Sequence, residues 1–420
     1  MATRKSHATT KFPILRISAL ILGGILVIYP SAGIVSETWF PDDERIERIS
    51  CRFLLCANSV VVQSARRQLW SQEKDGPQRA IDTFRLALQR DPHDPSRWAD
   101  LGEAFLEAGR KEEARYCYTQ VRATAPHRPT FLLRVASFYF QVGEARNALA
   151  ITAGILKSVS GYDSVIFSEY TRLVDDIGDV LRYGMPEDRR ASQAFLRYLL
   201  QAGRLDDAQR TWEWTAAHGF ADDALAGEYA QFLIQRQLPE AAAAAWMRHL
   251  GTRSGDYLRT EYLFNGDFES PATATPFDWS VLPVEGVEVA RDSALPYSGQ
   301  WSLRISFPGI ANLAYAGVSQ MAVLKPGACR FQACVRTDSI TTDQGIRFRI
   351  VDTEAPARLD LTTGQFTGTT AWTRIEQRFV VPLGTRIVQV QVVRQPSMNF
   401  DNKLGGTAWI DGVKLTRMVP

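Results

Sequence analysis

The spacing of a few residues between Ala80 and Pro126 constrains this chain more than any other feature. Ala80, Phe84, Ala87 and Pro92 recur 34 positions later as Ala114, Tyr118, Val121 and Pro126. Ahead of Ala114, Trp98 opens a run that continues with Leu101-Gly102 and Phe105, and Gly109 separates that run from the segment holding Ala114 and Tyr118. Two helices packed antiparallel need small residues where their axes approach, which Gly102 and Ala114 supply. They need large ones to fill the remaining space, which Trp98, Leu101, Phe105 and Tyr118 supply. Gly109 suits the turn, and Pro126 stops the second helix. Such a pair cannot bury its apolar face alone, so the pattern demands stacked neighbours.

Trp98, Leu101, Gly102, Phe105, Ala114, Tyr118 and Pro126 stand at the positions of a tetratricopeptide (TPR) repeat, and the stretch resembles that family. The resemblance implies a TPR-type α-solenoid over residues 76–250, with a groove for a protein partner. Further units are marked by Leu132, Val135, Ala136, Tyr139 and Ala148, by Phe195, Leu199, Gly203, Ala208 and Trp212, and by Phe232, Leu238 and Ala241. Between about 156 and 187 the pattern stays helical but slips register, interrupted by Gly178, Gly184 and Pro186. Four or five helix pairs are expected, behind a leading helix over 41–75. Trp212 takes the core position of its unit. Trp214, two residues on, cannot face the same way and belongs on the surface.

A chain of 420 residues is too long for one ordinary core. Its formal net charge of +2 gives no reason to expect nucleic acid. Five cysteines are too few for a disulfide framework. Cys329 and Cys334 point to opposite faces of one strand, Cys51 and Cys56 are badly phased on one helix, and all five read as small packed residues. His93 and His127 occupy the same turn of successive units, too far apart to share a metal. At the amino terminus, residues 1–16 form a basic tail with Arg4, Lys5, Lys11 and Arg16. The uncharged run 17–35 behind it is about the length of a transmembrane helix. The basic flank stays in the cytoplasm and the rest crosses. Pro30 and Ser31-Ala32-Gly33 offer the other reading, a cleaved signal peptide. The expected location is the bacterial inner membrane, single-pass, with the bulk in the periplasm, or outside after cleavage.

After a linker at 251–260, helical periodicity gives way to alternation over 261–420. Strand-like segments fall at 286–291, 301–307, 328–337, 346–351, 372–381, 386–394 and 407–417, the pattern of an all-β sandwich. Asn265-Gly266-Asp267-Phe268-Glu269 opens it, and Phe277-Asp278-Trp279, Ser298-Gly299, Trp301, Lys325-Pro326-Gly327, Trp372 and Trp409-Ile410-Asp411-Gly412 come after in that order. The order resembles the carbohydrate-binding modules of the family 4/9/22 type, which are jelly rolls. The whole is thus a multidomain α + β chain.

In that family the opening Glu and the closing Asp commonly meet, with backbone carbonyls, around a structural calcium, and Glu269 and Asp411 match them. The other role open to both is to cap turns by accepting backbone hydrogen bonds. Sugar binding needs aromatic faces, and Tyr297, Trp301, Tyr315 and Phe400 are candidates because they fall near turns. Trp279, Trp372 and Trp409 match family core positions and are set aside. The family tends to carry a long basic side chain where Trp301 stands, so this departure marks either a new contact surface or altered packing.

No Gly-rich phosphate loop, nucleophile elbow or His-Glu-x-x-His pattern supports an enzyme. The expected function is a non-catalytic, membrane-anchored scaffold that binds a protein partner through its TPR array in cell-surface polysaccharide assembly or secretion. The alternative is a glycan-binding protein whose jelly roll holds polysaccharide. A glycoside hydrolase is the third reading.

Overall fold

The computed structural model describes residues 58–71, 75–273 and 275–418, so the basic tail, the apolar run 17–35, Cys51 and Cys56 lie outside it. Among the described residues no helix is long and apolar enough to cross a membrane. A helical region is followed by two antiparallel β-sheets. The chain divides into one compact unit ending at Pro186 and another beginning at Glu187.

In the first unit α1 (Asn58–Leu69) packs with α2 (Gly76–Arg90), α3 (Pro95–Glu107) with α4 (Lys111–Thr124), and α5 (Pro129–Gln141) with α6 (Ala145–Ser158). Pro95 and Pro129 start their helices, where a fixed φ helps and no N–H is missed. The Asp94 carboxylate caps α3 by accepting from the Ser96 N–H at 2.8 Å. Gly109 turns the chain at φ 73°, a conformation that favours glycine. Gly102 is required for another reason: a Cβ there would lie 2.9 Å from the Tyr118 ring and 3.2 Å from Cys117 Cβ. That ring cannot retreat, because it is buried and stacked on Phe138 at 4.6 Å. Trp98 is half-buried, its indole N–H donating to the Pro92 carbonyl at 2.9 Å.

The spacing of 34 also appears as a contact. Arg66 of α1 and Arg134 of α5 both donate at 2.9 Å to Asp100 of α3, each 34 residues away, and Arg134 reaches Glu103 at 2.9 Å. Asp100 is nearly fully buried, so the two guanidiniums supply the partners a buried carboxylate requires. The leading helix is therefore the first half of a regular pair. Register is then lost where α7 (Asp163–Leu173) leads into the one-turn α8 (Ile177–Asp179) and a π turn over Val180–Gly184. The buried Tyr170 hydroxyl pairs with Thr152 at 2.7 Å and donates to the Gly184 carbonyl at 2.8 Å, tying this irregular segment to α6.

The second unit begins with α9 (Arg189–Gln201) and α10 (Leu205–Ala217), then α11 (Asp223–Gln235) and α12 (Pro239–Leu250). Trp212 is buried and stacked on Tyr229 at 4.9 Å, whereas Trp214 stands half-buried against His218. Residues 251–260 are folded: a 3-10 turn over Gly251–Ser254 precedes Tyr257, which is buried against Phe264. Arg253 and His249 both bond the Asp223 carboxylate, at 2.7 Å each.

Among the described residues ten strands follow: β1 (Ser280–Val281), β2 (Glu288–Asp292), β3 (Ser302–Pro308), β4 (Tyr315–Val323), β5 (Gly327–Ile340), β6 (Arg347–Asp352), β7 (Asp360–Thr362), β8 (Gly368–Val381), β9 (Ile387–Arg394) and β10 (Gly405–Arg417). They form two five-stranded sheets, ordered β1-β4-β9-β6-β7 and β2-β3-β10-β5-β8. Alternate residues such as Phe331, Ala333, Val335, Phe348, Ile350, Val388 and Val390 fill the core between them.

Two outcomes check these contacts. Gly102→Ala drives a methyl into the Tyr118 ring and lowers stability by about 1–3 kcal/mol, read from chemical denaturation of the full chain. Asp223 is held down to about 2, first by the Arg253 hydrogen bond and then by that from His249. A lowered folded-state pKa gives stability that is present above the ordinary value of 3.8 and lost as pH falls toward 2. Asp223→Asn therefore flattens the stability profile between about pH 4 and pH 2.

Candidate functional site

The opening and closing motifs of the sandwich meet. The Gly266 carbonyl accepts from the Val413 N–H at 2.8 Å, and a Cβ on Gly266 would overlap the Val413 carbonyl oxygen. Asn265 accepts from Ser270 N–H through its side chain and from the Trp279 indole through its carbonyl. Asp278 is fully buried, and burial raises its pKa against the hydrogen bonds it accepts from Thr273 and Trp279. These residues are structural. They hold the first loop against the last strand.

Both predicted calcium ligands act on the loop before β3. Asp411, fully buried, accepts from Tyr297 N–H and Ser298 N–H at 2.9 Å each through Oδ2, and from Gly412 N–H at 2.6 Å through Oδ1. Burial pushes its pKa up, and these three donors oppose the rise. Glu269 Oε1 accepts from Gln300 N–H at 2.8 Å and from Trp301 N–H at 3.0 Å. N–H donors reach both oxygens of Asp411 and Oε1 of Glu269. Among the described residues no three His, Cys, Asp or Glu side chains converge to hold a metal.

The loop so gripped presents Tyr297, half of whose side chain is exposed. Its ring lies 5.6 Å from Trp372, which is half-buried on β8 rather than in the core position the family resemblance implies. On β8, Ile375 and Phe379 pack on the core while Trp372 shares the outward parity of Arg374 and Glu376. The buried Cys334 thiol beside Tyr297 raises the phenol pKa. Behind this pair a groove of about 430 Å³ runs over the outer face of the β2-β3-β10-β5-β8 sheet, lined by Tyr297, Gln332, Arg374, Lys414, Glu261 and Arg330. Gln332 bonds Glu376 at 2.8 Å, and Lys414 pairs with Glu261 at 2.9 Å. Family matching set Trp372 aside, whereas the alternation along β8 points to the outer face.

The other three aromatic candidates are elsewhere. Tyr315 is a correction: it is 2% exposed, packed edge-on against Phe307 in the core, and cannot stack on a sugar. It is the first residue of β4, ahead of a bulge that shifts register between Tyr315 and Val318. Trp301 is committed to packing, with the Arg291 guanidinium 4.2 Å above its ring while Arg291 donates to the Phe268 and Glu269 carbonyls. Phe400 is fully exposed, but its loop meets the last residues of β3 through Gly309, whereas the Tyr297 loop leads into the first. The structure does not bring Phe400 to the groove.

The outer face of the second sheet carries amides and hydroxyls instead. Gln391 donates to Gln389, Gln389 to Ser319, and Arg349 makes a bidentate pair with Asp360. Helix α11 covers part of it and leaves a cavity of about 550 Å³, lined by Glu228, Gln231, Ser280, Ser319, Met321 and Gln389 among others. Among the described residues no aromatic side chain lines it.

No family model matches the chain, and no curated protein does. Among solved structures the sandwich is similar to carbohydrate-binding modules. The CBM22-1 xylan-binding domain from Paenibacillus barcinonensis Xyn10C is 15% identical, covering 37% of this chain and 94% of that domain, with a TM-score of 0.27. A family 16 carbohydrate-binding module is 17% identical over 37% and 99%, at 0.27, and a CBM4 structure 16% identical over 37% and 99%, at 0.28. At these values the likeness carries no argument about ligand.

Asp411→Ala leaves three N–H donors unsatisfied and lowers stability by about 3 kcal/mol, measured by denaturation. The melting temperature of the full chain in calcium and in chelator tests the calcium site that the resemblance implies at Glu269 and Asp411: a calcium-dependent rise supports it, and equal values count against it.

Proposed function

We propose that this is a glycan-binding protein whose sandwich, a jelly roll of the carbohydrate-binding-module type, holds polysaccharide on the outer face of the β2-β3-β10-β5-β8 sheet. The observation that carries the reading is the Tyr297–Trp372 pair at the mouth of a groove floored by Gln332, Arg374 and Lys414. Aromatic faces bury the apolar side of a sugar ring, and amides, guanidiniums and amines beside them hold its hydroxyls. A loop fixed by Asp411 and Glu269 keeps Tyr297 in place before a ligand arrives, so little ordering cost falls on binding.

The helix pairs are read as a TPR-type array that places this module and offers a surface to a protein partner. The ladder Arg66–Asp100–Arg134, repeating at the unit spacing, supports that reading. The apolar run 17–35 is read as the anchor, with the rest in the periplasm, and the protein as non-catalytic.

Retention of the full chain on a panel of soluble and insoluble polysaccharides tests the site. Tyr297→Ala and Trp372→Ala each weaken retention about tenfold while Phe400→Ala does not. Unchanged retention in both variants, with circular dichroism intact, would contradict the assignment, and release of soluble sugar would mark a hydrolase.

A further inference from the structure

The register of β10, β5 and β8 sorts the charges on the groove's face. Partners across a ladder share a face, so Trp409 stands beside Arg336, Asp411 beside Cys334 and Arg374, Lys414 beside Gln332 and Glu376, and Thr416 beside Arg330 and Arg378. Among the described residues the carboxylates on and beside these strands are engaged. Glu261 pairs with Lys414, Glu376 with Arg378 and Gln332, and Glu288 with Arg304. Asp292 takes the Trp409 indole N–H, Asp338 takes Ser339, and Asp411 takes its three backbone donors.

Three arginines are left over. Among the described residues no carboxylate pairs with Arg330, Arg336 or Arg374, and the buried Nε–H groups of Arg330 and Arg336 meet no protein acceptor. Arg336 is laid over the Trp409 ring at 5.9 Å, which holds its guanidinium on the sheet surface. Arg330 and Arg336 are six residues apart on β5, about 20 Å along an extended strand. Arg374 stands between them, opposite Cys334 and in the groove with Tyr297.

We propose that this face recognises an anionic polysaccharide, with Arg374 and Arg330 holding carboxylate or sulfate groups on sugar units next to the one that stacks at Tyr297 and Trp372. The inference rests on the glycan-binding reading and adds the chemical class of the polymer. An extended polymer with repeated charge matches a row of unpaired forks on one flat face. A neutral sugar would leave them unmatched.

The probes are polygalacturonate for carboxylate, dextran sulfate for sulfate, dextran as the neutral polymer and duplex DNA as a polyanion without sugar-ring stacking. The full chain retains polygalacturonate or dextran sulfate well above dextran, and retention falls as salt rises. The double variant Arg330→Gln with Arg374→Gln weakens that retention about tenfold or more, flattens the salt dependence and keeps the melting temperature. Dextran held as tightly as the anionic polymers, with the double variant unchanged, overturns the inference and leaves the glycan site standing. No retention of any polysaccharide overturns both. Duplex DNA held as tightly as polygalacturonate, independently of Tyr297, makes the face a general polyanion surface and also overturns the inference.

Discussion

Three backbone N–H groups converge on the buried carboxylate of Asp411, and the shape of one end of the sandwich depends on them. A buried carboxylate without partners is costly, so the loop carrying Tyr297 and Ser298 is held where it satisfies that group. Glu269 grips the other side of the same loop, and Gly299, at φ 64°, lets the chain pass close to that carboxylate. A bulge in β10 just past Asp411 lets Lys414 regain register with Gln332 and enter the groove. The surface with the aromatic pair is therefore set by charge buried beneath it.

The two outer sheet faces differ in what they can do. One carries a Tyr297–Trp372 pair and arginines with no carboxylate partner among the described residues. The other carries amides and hydroxyls bonded to one another, with α11 over part of it. In the helical unit the same principle appears in Asp100, a buried carboxylate satisfied by arginines of the neighbouring helix pairs, so stacked neighbours are joined by charge as well as by apolar packing. In the last turn between helices Gln237 takes φ 63°, a strained value for that residue, and its carbonyl accepts from Arg386, which also pairs with Glu240.

Much of the architecture was legible because it rests on steric spacing. Gly102 against Tyr118 admits only a small residue, so the pair announces the helix crossing. Strands such as β5 and β9 alternate cleanly and could be read from pattern. β4 could not: the bulge after Tyr315 breaks alternation, and both the strand and the burial of Tyr315 were missed for that reason. Glu269 and Asp411 were legible as positions, yet their hydrogen-bond donors come from residues 297 to 301, a loop whose path no local pattern specifies. Trp372 was set aside because the family match took precedence over the alternation along β8, which puts it on the side of Arg374 and Glu376.

The most direct measurement is hydrogen–deuterium exchange of the full chain with and without the polysaccharide it retains. The account predicts slowed exchange at residues 295–301 and 372–376, with the opposite sheet face unchanged. Slowed exchange at 280–282, 319–321 and 389–391 with none at 295–301 would place the ligand in the cavity under α11 and contradict it.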